Sequence, residues 1–218
     1  MSSRTWHIVF ALAILWSASP LCAADLGKGN ILFEWFDGAR SATTLAQITD
    51  GRLWRYPDNP TVSQWRTSFD GIDARGDYYV TRVRGYVHPP ADGDYTFWIT
   101  SDDQSQLWLS TDENPANRVM ISQVTGYSGA TEWTKFPEQK SAAIALKAGK
   151  KYYIEALHKE NTGRDSLSVG WAAPGVSSGA VIPGAHLSPY PEGPKGTILH
   201  EAWLDPASWP EPKPAAAN

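Results

Sequence analysis

The stretch Gly93–Ser110, GDYTFWITSDDQSQLWLS, constrains the fold more than any other part of this 218-residue chain. Tyr95, Phe97 and Ile99 alternate with Thr96, Trp98 and Thr100, and Leu107 and Leu109 resume the alternation after a polar break. A period of two places successive side chains on opposite faces of a strand. The break, Ser101-Asp102-Asp103-Gln104-Ser105, sets two adjacent carboxylates at the tip of an apolar, aromatic unit. The pattern predicts strand, tight acidic turn, strand, that is, a hairpin with charge gathered at its tip.

The rest of the chain repeats the theme. Strands are predicted at Gly29–Phe36, Tyr78–His88, Arg118–Val124, Ser141–Leu146, Lys151–His158 and Ser166–Trp171. Asp37–Thr61 reads as irregular, with one short helix around Thr43–Ile48 and with Leu45, Ile48, Leu53 and Trp54 as its apolar anchors. Trp65 and Phe69 are expected to pack that segment onto the strands. Gly126–Lys140 reads as a long loop, Lys159–Asp165 as a polar turn and Ala172–Gly184 as a Gly/Ser/Pro-rich loop; Ala185–Tyr190 closes the domain. Many short strands with turn signals between them predict an all-β, antiparallel sandwich or barrel with long loops and little helix. Hydrophobic content of 42% is enough for such a core. Nine of the 11 tryptophans follow Ala24. Most should fill the core, and one or two exposed rings would suit stacking on a sugar.

The two ends read differently. Residues 1–24 have the pattern of a secretory signal peptide: Arg4 and His7, the apolar run Ile8–Trp16, Pro20, then Cys22-Ala23-Ala24 before a cut after Ala24. The apolar run is too short to span a bilayer, and no later segment is long and apolar enough to do so. Lipidation of Cys22 is the alternative, but Ser19-Pro20-Leu21 lacks the apolar-then-small order that such a site needs. Cys22 is the only cysteine. The domain at residues 25–190 is therefore expected to stand without disulfides, thiol catalysis or cysteine-based zinc sites. The expected location is secreted, periplasmic or at the cell surface. Residues 191–218 form a proline-rich tail. Within it, Gly196–Asp205 (GTILHEAWLD) echoes Gly29–Asp37 (GNILFEWFD) with one insertion. Chance, an added edge strand and the opening strand of a second module all remain open.

Charge and motifs narrow the function. A net charge of -4 gives no footprint for nucleic acid. No nucleophile elbow, zinc-protease motif or phosphate loop is present. Glycoside hydrolysis needs two carboxyl groups roughly 5 to 9.5 Å apart across a cleft. Adjacent aspartates at a hairpin tip suit a shared ion better, so no enzyme is expected.

Read in order, Gly85-Tyr86-Val87, Pro90–Phe97, Ser101-Asp102-Asp103 and Leu107-Trp108-Leu109 resemble the core of the protective-antigen-type domain (PA-fourteen). Ala148–Ala156, Leu167–Trp171 and Ile182-Pro183-Gly184 with Leu187 resemble its later strands and closing segment. The resemblance covers about Gly29 to Tyr190. It implies a β-sandwich found in bacterial toxins, glycosidases and yeast adhesins. It further implies that lectin members hold calcium on an Asp-Asp pair joined by a cis peptide. Asp102 and Asp103 match that pair. Leu157-His158-Lys159-Glu160 with Asp165 resembles secreted bacterial copies attached to polysaccharide-degrading enzymes.

The implied function is a secreted, lectin-like, calcium-assisted module whose partner is a glycan or polysaccharide. Calcium takes roughly six to eight oxygen ligands, of which the two aspartates supply part. Asn161 is a further candidate by chemistry alone. His158, Lys159, Glu160, Asn161 and Asp165 are placed on the rim of the same ligand site. Two other readings stay open. Asp-Asp-Gln-Ser is also sound turn chemistry, with aspartate capping backbone N–H groups, and Lys159–Asp165 also reads as a solvated turn. A cell-envelope module that binds proteins rather than glycans is the alternative function.

Overall fold

The computed structural model describes residues 29–71 and 75–190, with backbone alone at 176–178. The signal-peptide, cleavage-site and tail-repeat expectations lie outside the described residues. Among the described residues twelve strands form: β1 (Ile31–Asp37), β2 (Val62–Arg66), β3 (Asp70–Gly71), β4 (Tyr79–Val87), β5 (Gly93–Asp102), β6 (Gln104–Ser110), β7 (Arg118–Val124), β8 (Ile144–Leu146), β9 (Tyr152–Glu160), β10 (Ser166–Ala173), β11 (Val176–Val181) and β12 (Leu187–Pro189). One sheet has seven strands in the order β2-β1-β4-β9-β6-β7, with β12 also on β4. The other has five, β11-β10-β5-β8, with β3 on β10. All pairings are antiparallel. The expected all-β sandwich is the fold observed.

The core lies between the sheets. Tyr95, Phe97 and Ile99 from one sheet meet Ile31, Phe33, Val83, Leu107 and Ile154 from the other, all of them buried. Trp171 packs against Tyr95, Phe97 and His186, with ring centroids 5.2 to 6.1 Å apart. Full burial of a large apolar side chain stabilises by about 1.5–3 kcal/mol, so this layer holds the sheets together without a disulfide.

The acidic hairpin does not form as predicted. β5 pairs with β10 and β8, whereas β6 pairs with β9 and β7, so the two halves belong to opposite sheets. Only Asp103 separates them, which is too short for a hairpin loop. The chain instead turns a corner from sheet to sheet. Ser101 Oγ ties the corner by donating to Asp103 O at 2.5 Å and accepting from Ser105 Oγ at 2.7 Å. The alternation survives because both strands turn their apolar phase to the same core. Period two reports a buried face, not the identity of the partner strand.

Other differences share that cause. β9 runs on through Glu160, and His158, Lys159 and Glu160 are buried within it, so the solvated-turn reading of these residues is overturned. The pairings Gln104↔Lys159 and Tyr79↔Glu160 explain the extension: two neighbours offer the strand hydrogen-bond partners. The Gly/Ser-rich loop after β10 is strand β11, turned back at Pro174 and Gly175 (φ 76°).

Residues 38–61 cover the outer face of the seven-stranded sheet. Ala39, Ala42, Leu45, Ile48 and Leu53 form a second apolar cluster with Phe36, Val80 and Leu157. The expected helix shrinks to α1 (Leu45–Gln47), followed by a wide turn over Ile48–Arg52 in which Gly51 has φ 90°. Trp54, expected as an anchor, is 72% exposed, and Trp65 lies half-exposed on edge strand β2. Phe69 is fully buried, as expected. Loop 126–141 covers the outer face of β5. Gln139, fully buried, pins it by donating to Ile99 O and Glu132 O, both at 2.9 Å, and accepting from Phe136 N at 2.8 Å.

Candidate functional site

The corner places three carboxyl groups together. Asp102 ends β5, Asp103 forms the turn and Glu160 ends β9. The β6–β9 pairing ends at Gln104↔Lys159, so Asp103 and Glu160 lie one step beyond it, side by side. One carboxylate oxygen from each of Asp102, Asp103 and Glu160 lies within 4.8 Å of the other two. The Asp102–Asp103 peptide is cis. Asp103 Oδ2 accepts from Asn161 N at 2.9 Å.

Glu160 has no exposed surface, and neither of its oxygens has a hydrogen-bond partner. Burial, then the charges of Asp103, Asp165 and Asp102, push its pKa up to about 8. The Asp103 N–H offsets part of that shift without reaching hydrogen-bond geometry. Asp102 is raised by burial and by the charge of Asp103. A buried carboxylate without a partner is costly in a metal-free protein. An all-oxygen donor set with two such orphaned atoms fits a hard cation such as calcium.

The remaining expected residues lie around this cluster. His158 Nε2–H donates to Asp102 O at 2.8 Å, and burial lowers the ring pKa to about 4, so the imidazole is neutral. Lys159 is fully buried; its ammonium donates to Asn161 Oδ1 and, at 3.3 Å, to Glu160 O. Burial lowers its pKa, against the pull of Asp103 and Glu160. Asp165 accepts from Arg75 N at 3.0 Å and, with Asp102, lines an open pocket of about 400 Å³. Ser128, Gly129 and Ala130 form one wall of that pocket; Gly163, Arg164 and Ser166 complete it.

The seven sequence-predicted residues therefore gather at one corner. Glu160 stands apart from expectation, since it joins the carboxylate cluster rather than the rim. The wall at 128–130 was missed. Nothing in Tyr127-Ser128-Gly129-Ala130 marks it; long-range hydrogen bonds bring it to the corner, among them Ser128 N→Ser101 O (2.6 Å), Ser101 N→Ser128 Oγ (3.1 Å) and Thr100 Oγ1→Ala130 O (2.8 Å).

The fold is an antiparallel β-sandwich with an acidic corner between its sheets, and comparison with known proteins names the family. The model of the PA14 domain matches residues 55–184, and the chain belongs to that family. A mouse N-acetyl-beta-glucosaminyl-glycoprotein 4-beta-N-acetylgalactosaminyltransferase 1 is 38% identical over 149 residues, which are 64% of this chain and 14% of that protein. Dog fibrocystin is 27% identical over 173 residues, 72% of this chain and 4% of that protein. The chain thus spans a small fraction of these relatives. Among solved structures, the PA14 sugar-binding domain from an RTX adhesin aligns with TM-score 0.56 at 13% identity, covering 75% of this chain and all of that one. The Epithelial Adhesin 6 A domain of Candida glabrata, in complex with Galb1-3GlcNAc, aligns with TM-score 0.51 at 14% identity, covering 75% and 88%.

Proposed function

We propose that this chain is a secreted, non-catalytic carbohydrate-binding module that holds calcium on Asp102, Asp103 and Glu160 beside the 128–130 and 163–166 walls. Glu160 carries the reading: a fully buried carboxyl group without hydrogen-bond partners, beside two more carboxylates. Such a group is unfavourable alone and favourable around a cation. Bound calcium would offer coordination positions to sugar hydroxyls. The chain's own residues do the positioning. Asn161 N–H orients the Asp103 carboxylate, His158 fixes the Asp102 carbonyl, and the pocket walls enclose the ligand.

The RTX adhesin domain is described as sugar-binding, and the Candida domain was solved with a disaccharide, which supports a glycan as ligand here. The transferase relative is far longer than the matched segment, in keeping with a module that accompanies other domains. A secreted bacterial setting is proposed on the resemblance of Leu157–Glu160 and Asp165 alone, since the two relatives named above are mammalian.

Calorimetric titration with calcium tests the ion. The protein should bind it, and Asp102→Asn combined with Asp103→Asn should abolish binding while the circular dichroism spectrum is kept. A glycan array run with calcium and with chelator tests the ligand. Glycan binding unchanged by chelator sinks the calcium mechanism, and new reducing ends from incubated polysaccharide overturn the non-catalytic assignment.

A further inference from the structure

We infer that the pocket prefers an acidic glycan, one bearing a uronate carboxylate, and that Arg164 is its specificity-determining residue; this rests on the carbohydrate-binding reading above. Arg164 lies in the pocket lining between Gly163 and Asp165. It is exposed and makes no ion pair or hydrogen bond among the described residues. The nearby carboxylates are engaged elsewhere. Asp165 accepts from Arg75 N at 3.0 Å, and Glu132 accepts from Gly129 N at 3.0 Å. Lys135 belongs to the loop of the opposite wall. Its ammonium sits 3.6 Å from the centre of the Tyr127 ring, with no carboxylate partner among the described residues. Both cations act on Asp102 through space, so both lie within electrostatic range of the pocket floor.

Asp102, Asp103 and Glu160 are balanced locally once a divalent ion joins the buried Lys159 ammonium. Arg164 is then left in the pocket lining without an ion-pair partner among the described residues, with Lys135 close by in the neighbouring loop. A guanidinium presents a rigid, planar pair of N–H donors that matches a carboxylate at two points, which a neutral hydroxyl cannot reproduce. A pocket of about 400 Å³ is in the range that holds a small ligand. A saccharide can set ring hydroxyls toward Asp102 and a ring carboxylate toward Arg164, with Lys135 adding charge attraction that salt screens.

The test compares uronate-containing oligosaccharides with their carboxyl-reduced counterparts in calcium, by titration calorimetry, on the wild type, Arg164→Gln, Arg164→Lys and Lys135→Gln. The expected result is about a tenfold preference of the wild type for the acidic form. Arg164→Gln should lose that preference and bind the acidic and reduced sugars alike. Arg164→Lys should recover part of it, and Lys135→Gln should reduce it mainly at low salt. Equal binding of acidic and reduced sugars by the wild type overturns this inference and leaves the carbohydrate-binding function standing. Tighter binding of sulfated than of uronate sugars overturns the choice of carboxylate. No binding of either sugar by calcium-loaded protein overturns the carbohydrate-binding function itself, and this inference with it.

Discussion

Between pH 4.5 and about 8, the folded protein keeps a proton on Glu160 that the unfolded chain releases. A fold that binds more protons than the unfolded state loses stability as pH rises. In chelator, the chemical-denaturation midpoint should therefore fall as pH is raised through this window, and Glu160→Gln should flatten that dependence. Calcium binding must expel the same proton, so its affinity should fall as pH drops below about 8, with proton release visible in calorimetry across buffers of different ionisation enthalpy. Glu160→Gln should also weaken calcium binding while leaving the metal-free protein as stable or more so. An unchanged calcium affinity in that variant would remove Glu160 from the ligand set.

Among the elements, β1, β4 and β9 carry charge on the outer face of their sheet, and there it is buried. Glu34 on β1 is fully buried and accepts from Arg82 Nε at 2.7 Å and Arg84 Nε at 2.8 Å on β4. Arg82 also donates to Pro57 O at 2.8 Å and so fastens the 38–61 cover. Glu34→Ala would take the bonded carboxylate from both guanidinium groups. It should cost about 3–5 kcal/mol by urea denaturation. Gln139 does the same for the 126–141 loop with neutral groups. Gln139→Ala should cost about 1–3 kcal/mol and speed amide exchange in that loop, because it strips the partner from buried Ile99 O and frees Phe136 N. Gly85 lies where β12 crosses β4. A methyl group there would stand 2.5 Å from Ser188 O, so Gly85→Ala should lower the melting temperature by loosening the closing strand.

At the scale of the whole molecule, the two sheets share one core, and the proposed ion sits on the connection that passes between them. Calcium held there binds the folded state and not the unfolded chain. At a free concentration of about a hundred times Kd it should add about 2.7 kcal/mol, read as a single, cooperative melting transition moved upward. A melting curve indifferent to calcium over that range would count against an ion at this corner.

The class of fold and the residues of the corner are legible in the local pattern of the chain. Period-two alternation in Gly93–Ser110 and Tyr78–His88, and the order of the Gly, Asp-Asp and Gly-Lys motifs, report local geometry that neighbouring residues enforce directly. What those residues do together is set by the folded chain. Whether β5 and β6 pair with each other, whether Lys159 and Glu160 are solvated, and which loop walls the pocket all depend on contacts between distant segments. Alternation is the same for a hairpin arm and for a strand that crosses to the other sheet. A polar His-Lys-Glu run reads as exposed until β4 and β6 close on both sides of it. The opening hairpin is thus a corner between sheets. Its two aspartates gain a third, buried carboxylate because β9 happens to end beside them.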